Sequence, residues 1–440
     1  MPALRDAMRK SIFYSVIDQA ALSAFNFALA FALIRIWSDN PEVFGVYSMV
    51  FAGALALTSV QNALINAQFT ILRPKATSDN DEATLLSMFW TVNVAVVLGA
   101  MSLMFAAILA TGGHLALAAS AAVYVSATLL REYTRSHHFS NMNVRAVLAL
   151  DGVSLATSIV LLAVAYAFGP PLDLPILFAI LATGLLIASA LAAVTQRQHY
   201  RILCDRKTAA FYRDVWRRHS FWALMGVITS EFQQRGYVFV VAAAFGAGSV
   251  ALIQAAALLF RPIQLVTHAW GKLARAVLAE HLANGDVARA RAFTLASFAV
   301  LGGLFLAFSA ALALGWPFIS ESLFRGRYTD LGGIVVLWGI AAGVIMATGI
   351  FSLEVQTLMR FKALSFGAAL GALVCALVLA LVVVLGDFRA SVLAVIAGQL
   401  AFFAVVLRLL PKTGSAAAVP SETARDASIP APVEKDVATP

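Results

Sequence analysis

Twelve stretches of this chain are long and apolar enough to cross a lipid bilayer, and that alone excludes most folds. They fall at about residues 12–36, 43–71, 85–110, 114–130, 147–168, 172–194, 219–245, 249–270, 292–316, 331–353, 363–386 and 389–410. A hydrocarbon layer of about 30 Å needs about 20 apolar residues to span it as a helix. Lipid offers backbone amides no partners, so runs of this length must be helical, and the alternating ten-residue pattern of an outer-membrane strand is missing. Composition agrees: 61% of the residues are hydrophobic and 12% charged, whereas a soluble domain carries about 25% charged residues. The expected fold is all-α and polytopic, stabilised by the bilayer rather than by one aqueous core.

The loops set the expected orientation, because Lys and Arg gather on the cytoplasmic side. One set of loops holds Arg5, Arg9, Lys10, Arg73, Lys75, Arg131, Arg135, Arg145, the basic run from Arg197 to Arg218, Lys272, Arg275, Arg289, Arg291, Arg360, Lys362, Arg408 and Lys412. The opposite set holds Arg35 at a span end, Arg325, Arg327 and Arg389, within turns such as "SDNPE", "TGGH", "FGPPLD" and "FGAGS". Both termini are therefore expected in the cytoplasm. The net charge of +8 reads as an orientation device with some attraction for anionic headgroups, and not as nucleic-acid binding. The N-terminal apolar run carries Asp18, Gln19 and Asn26 and lacks a small-residue cleavage site, so it reads as the first helix and not a signal peptide. Cys204 in a loop and Cys375 in a span suggest no disulfide or metal site.

An even number of spans, divided by the longest and most basic internal loop, invites a search for a repeat. "DNPEVFGVYSMVFAGALAL" (39–57) aligns with "FGAGSVALIQAAALLF" (245–260), pairing Phe44 with Val250 and Tyr47 with Ile253, and "VVLG" (96–99) falls near "AVLG" (299–302). Six helices per half make both halves enter from the same side. The expectation is two six-helix bundles related by a pseudo-two-fold along the membrane normal: residues 1–195, a basic cytoplasmic linker 196–218, residues 219–412, and a tail 413–440. The tail is rich in Ala, Pro, Ser and Thr and is expected to be disordered and cytoplasmic.

Charges at membrane depth cost about 2.5–3.5 kcal/mol each on insertion scales, so those retained usually face a bundle interior or a wet cavity. The polar residues concentrate in four spans: Asp18, Gln19 and Asn26 in the first; Asn62, Asn66 and Gln68 in the second; Glu231, Gln233, Gln234 and Arg235 in the seventh; Gln254, Arg261, Gln264 and His268 in the eighth. The repeat makes the first two spans equivalents of the seventh and eighth, so the polar groups converge on one central cavity. Plainer readings stand beside this one. Glu231 and Arg235, four apart, can be a self-neutralising pair that eases insertion. Arg261 precedes Pro262 and can snorkel or meet a freed carbonyl. Asp18 can meet interfacial water or Lys10, and Asn62, Asn66 and Gln264 can be interhelical glue. His137 and His138 read as a solvated loop pair.

The chain has no Gly-rich phosphate loop followed by Lys and Ser/Thr, no zinc spacing and no Ser/His/Asp arrangement with structural context. Its longest outer loop, "WPFISESLFRGRYTD", is short for a glycan polymerase. A non-enzymatic transporter without a cofactor is the reading that remains. The opening "DQAALSAFNFALAFALIRIWSDNPEVFGVYSMVFAGALALTSVQNALI" (18–65) and its counterpart "FGAGSVALIQAAALLFRPIQ" (245–264) resemble bacterial polysaccharide-biosynthesis membrane proteins. These are the Wzx-type oligosaccharide flippases of the multidrug/oligosaccharidyl-lipid/polysaccharide (MOP) exporter superfamily. The resemblance implies a bacterial inner-membrane carrier that flips a polyprenyl-pyrophosphate-linked oligosaccharide by alternating access, for exopolysaccharide, capsule or O-antigen. It implies membrane lipids as surroundings, and a polysaccharide polymerase or cytoplasmic glycosyltransferases as partners. In that reading Arg235, Arg261 and Arg35 hold the pyrophosphate, Gln234, Asn26 and Asn62 meet sugar hydroxyls, and Glu231 and Asp18 pair charges or bind a coupling H+ or Na+. Two alternatives are a cation-coupled multidrug exporter of the same superfamily and a non-transporting scaffold for glycosyltransferases.

Overall fold

The computed structural model describes residues 2–73, 79–141, 143–195, 201–203, 206–324, 331–358 and 360–410. The expected tail at 413–440, most of the linker stretch 196–205 with Cys204, and the loop cations Arg325 and Arg327 lie outside the described residues. Among the described residues the chain is helical with no strand. The first half holds α1 (Pro2–Ile36), α2 (Pro41–Gln61, continued through a π turn Asn62–Asn66 to Ala67–Leu72), α3 (Asp79–Ala110), α4 (Leu115–Ser140), α5 (Val144–Phe168) and α6 (Leu174–Thr195). The second half holds α7, one helical path from Arg206 to Phe245 with π turns at Trp216–Ser220 and Phe232–Gly236, and α8 (Ala247–Leu258 then Arg261–Ala283). It continues with α9 (Val287–Leu314), a short helix Trp316–Phe324, α10 (Leu331–Thr357), α11 (Phe361–Leu385) and α12 (Ser391–Leu409).

Ten of these helices are long and apolar enough to cross a membrane by themselves, and α8 passes the same test as a pair bent by 54°. The remaining helix, α7, dilutes its apolar stretch with Glu231, Gln233, Gln234 and Arg235. The twelve expected runs are thus twelve helices. Leu98, Val160, Leu306, Phe366 and Val384 are exposed on the outside, which suits hydrocarbon and would be costly in water.

The repeat suspected in the sequence is visible in the packing. In the first half α4 packs on α3 and α6, α5 on α6, and α1 on α5; in the second α10 packs on α9 and α12, α11 on α12, and α7 on α11. Each pairing recurs six helices later, which is what two bundles related about the membrane normal require.

Helices α1 and α2 of one bundle meet α7 and α8 of the other along a central seam. Toward the end of the molecule that carries the short turns, one continuous apolar core crosses it, joining Phe44, Tyr47 and Val50 to Val238, Val250 and Ile253. Toward the opposite, basic end the cores divide: Ile65, Phe69, Met88 and Phe89 form one cluster and Ala274, Leu278 and Leu353 another. The bundles are therefore welded by one continuous core at the short-turn end, while at the basic end the cores divide and the start of α7 packs through Tyr212 and Val215 on the first bundle's cluster. The weld depends on Gly45. A Cβ there would stand 1.9 Å from the Ala247 carbonyl oxygen, so α2 and α8 touch backbone to backbone. Gly246, with φ of +83°, makes the turn between α7 and α8 in a region that side-chain-bearing residues avoid.

Gly45→Ala is expected to lower thermal stability by about 1–3 kcal/mol, the usual cost of overpacking. Gly248→Ala, whose Cβ would meet Glu42 Cγ at an ordinary 3.5 Å, is expected to be neutral. Thermal unfolding of the two purified variants side by side checks the contrast.

Candidate functional site between the bundles

The polar face of α7 is aimed by its neighbour on the opposite side. Gln233 is buried, and its amide nitrogen lies 2.7 Å from where a Cβ on Gly371 would sit, so α11 accepts the side chain only because position 371 is glycine. With Gln233 held against α11, Glu231, Gln234 and Arg235, at spacings of three and four, turn toward the seam. The π turn Phe232–Gly236 lies within this face, and such turns are rare and gather at functional sites.

Glu231 is bound from two sides. Its Oε1 accepts a hydrogen bond from Ser59 Oγ on α2 at 2.8 Å, and its Oε2 pairs with Arg235 one turn along α7. One carboxylate thus ties the first bundle to the second. Asn62 lies one turn from Ser59 on α2 and is exposed, as is Gln234 beside Arg235.

Arg261 comes from α8, immediately after the break at Leu259–Phe260. Pro262 suits the first turn of a new helix but could not continue the old one, which accounts for the break. The guanidinium stands over the Phe51 ring, 5.8 Å from its centroid, and Tyr237 lies within electrostatic reach of both Arg261 and Arg235. Tyr237 is held by a hydrogen bond from Gln254 Nε2 at 2.8 Å and by ring contact with Trp338. Among the described residues Arg261 has neither an ion pair nor a hydrogen bond. No side chain caps the helix it begins, and no acid sits in that helix's first turn. The site therefore has two arginines, one acid already engaged with one of them, and an aromatic wall from Phe51, Tyr47 and Tyr237.

The other expected site residues lie elsewhere. Arg35 is exposed at the short-turn end of α1, and Asn26 is half-buried partway along that helix. Asp18 is buried inside the first bundle and meets Arg135, not Glu231: Arg135 donates to it at 2.8 Å and to Asp151 at 2.9 Å. Arg131 also donates to Asp151, at 2.8 Å from Nε. The cluster binds α1, α4 and α5 together.

It corrects the reading of the fourth run as ending near residue 130. Helix α4 continues to Ser140, because Arg131 and Arg135, four apart, neutralise acids on neighbouring helices and so belong inside the bundle. His137 and His138 are accordingly buried on α4 rather than solvated in a loop. The missed signal was Asp151, the lone acid of the fifth run, with two arginines at helical spacing just before it. Ser59, Tyr47, Phe51 and Tyr237 carried no sequence signal, since hydroxyls and aromatics are ordinary in spans.

No protein-family model matches this chain, and no curated protein matches it in sequence. Its fold does match solved structures. An inward-facing multidrug resistance MATE family transporter of the MOP superfamily aligns with TM-score 0.67 at 14% identity, over 90% of this chain and 97% of that one. An outward-facing MATE family transporter aligns with TM-score 0.58 at 13% identity, over 91% and 94%. A MOP superfamily transporter from Pyrococcus furiosus, described as having a binding pocket of reverse polarity that suggests a different function, aligns with TM-score 0.60 at 12% identity, over 91% and 94%. The chain is a multi-pass membrane protein with the fold of MOP-superfamily transporters.

Removing the counter-charge of a buried acid typically costs about 3–5 kcal/mol. Arg135→Met is therefore expected to abolish stable accumulation of the protein or lower its melting point steeply. Arg261→Gln, at a side chain with no ion pair or hydrogen bond to lose among the described residues, is expected to leave both near wild type. Membrane-fraction yield and thermal unfolding of the two variants provide the check.

Proposed function

We propose that this protein is a flippase that carries a polyprenyl-pyrophosphate-linked oligosaccharide across the bacterial inner membrane for surface polysaccharide synthesis. The bundles rock about the seam to give alternating access. The observation that supports this best is Arg261, a guanidinium at membrane depth without a counter-ion among the described residues. An intramembrane cation is retained at a cost, and one held between two bundles at the start of an uncapped half-helix suits an anionic cargo. Pyrophosphate presents paired oxygens that a guanidinium meets in bidentate fashion. Arg235 offers a second anchor, half-compensated by Glu231 until phosphate competes for it, while Gln234 and Asn62 offer amides to sugar hydroxyls.

On the reading that both termini are cytoplasmic, the continuous core at the short-turn end and the divided cores at the basic end support a seam closed toward the outside. The higher TM-score with an inward-facing transporter agrees with that reading. The fold likeness to multidrug transporters favours a second reading, drug export. An organic cation, however, would want acids in the seam, and here cations outnumber them.

The test is deletion of the chromosomal copy in the source organism, followed by complementation. The wild-type gene is expected to restore surface polysaccharide. Arg261→Gln, expressed at wild-type level, is expected to cut export about ten- to a hundredfold, the range of one lost charge-assisted hydrogen bond, with lipid-linked repeat units accumulating. Normal export by both Arg261→Gln and Arg235→Gln would overturn the proposal.

A further inference from the structure

The start of α7 presents an unusual surface at the basic end. Its first ten residues, Arg206–Val215, form a strongly amphipathic helix. Tyr212 and Val215 turn inward onto Phe69 and Phe89 of the first bundle. Tyr212 Oη and Ser220 Oγ both donate to the Leu64 carbonyl oxygen, at 3.3 and 3.4 Å, within the π turn of α2. Burial pushes the Tyr212 phenol above its ordinary pKa, with the Ser220 hydroxyl opposing, so it remains a donor. The preceding segment is pinned too: the Leu203 amide donates to Thr91 Oγ1 of α3 at 2.9 Å.

These contacts hold the segment against the Phe89–Thr91 turn of α3. The apolar part of α3, Glu82–Ala110, has 29 residues, about 43 Å of helix, which matches the whole bilayer with its headgroups. The Phe89–Thr91 turn therefore lies just beneath the headgroup layer, within the reach of a snorkelling arginine. On this segment Arg201, Arg206, Arg213 and Arg217 are all exposed, and none of the four has an ion pair among the described residues. Between and beside them Ile202 is 60% exposed, Phe211 46% and Trp222 69%.

We infer that this surface binds anionic phospholipid headgroups, with the arginines on lipid phosphate and Ile202, Phe211 and Trp222 among the acyl chains. Charge complementarity favours this occupant: four exposed guanidinium groups without an ion pair among the described residues, on a segment that also exposes apolar side chains near the membrane surface, fit a ligand that is anionic at one end and apolar at the other. A bound headgroup would brace the start of α7 where it crosses onto α2. The inference concerns a surface away from Arg261 and does not depend on what the seam carries.

The experiment uses the purified full chain in neutral detergent. Thermal unfolding is followed with added phosphatidylglycerol, phosphatidylcholine or inorganic phosphate, for the wild type, for Arg201→Gln/Arg206→Gln/Arg213→Gln/Arg217→Gln, and for the same four positions changed to Lys. Phosphatidylglycerol is expected to raise the wild-type melting point by several degrees and phosphatidylcholine to do much less. The Gln variant is expected to keep its lipid-free melting point but lose at least half of the phosphatidylglycerol increment, and the Lys variant to retain most of it. Native mass spectrometry is expected to show fewer phosphatidylglycerol molecules on the Gln variant. The inference is overturned if the two lipids act alike on the wild type, if the Gln variant keeps the full increment, or if inorganic phosphate alone reproduces it. A Gln variant that unfolds without lipid is judged by lipid counting, where wild-type occupancy likewise overturns the inference.

Discussion

Hydrocarbon offers no hydrogen bonds, and every polar group within it must find its partner inside the protein. That requirement organises this chain. It makes the apolar runs helices and closes Asp18, Arg131, Arg135 and Asp151 into one buried network. In the second bundle it seats Glu354, fully buried, against Arg291 at 3.2 Å. Gln61 answers the same demand with neutral groups, its amide donating to Asn93 at 2.7 Å and to the Leu129 carbonyl at 2.8 Å. Beside these paired charges, Arg261, which among the described residues has an aromatic ring beneath it but no ion pair, is conspicuous.

Most of the spans were legible because length and hydropathy define them: ten helices pass that test by themselves and α8 as a bent pair, while the polar residues of α7 keep it from passing. Six-helix periodicity was legible because a repeat leaves matched turns, and "FGVYS" and "FGAGS" open α2 and α8 respectively. Less legible was where a helix ends when its last turns are charged. Arg131, Arg135, His137 and His138 look like loop residues by hydropathy, yet α4 carries them inward because α1 and α5 supply acids at the same height. Hydropathy scores a residue alone, whereas its true environment is set by partners more than a hundred positions away, as with Arg135 and Asp18.

The site was legible in its charges and illegible in its geometry. Glu231, Arg235 and Arg261 stood out as ionisable groups in otherwise apolar runs, and the fold brings them to one seam. Asp18 stood out equally and belongs to a different network, because sequence shows that a charge is present but not which side of its helix faces which bundle. The steering residues are small or neutral: Gly371 admits Gln233 and so turns α7, Gly45 admits the α8 backbone, and Ser59 reaches Glu231. None has a compositional signature.

The double engagement of Glu231 has a thermodynamic corollary. Its two oxygens serve different bodies, Ser59 on one bundle and Arg235 on the other, so the free energy of the carboxylate enters the equilibrium between arrangements of the seam. An anion that takes Arg235 from Glu231 also alters what holds Ser59. Linkage is reciprocal: whatever factor the anion contributes to the conformational equilibrium, the conformation returns to the affinity for the anion. For the anionic cargo proposed above, a single side chain would thereby couple occupancy to shape, with no separate sensor between them.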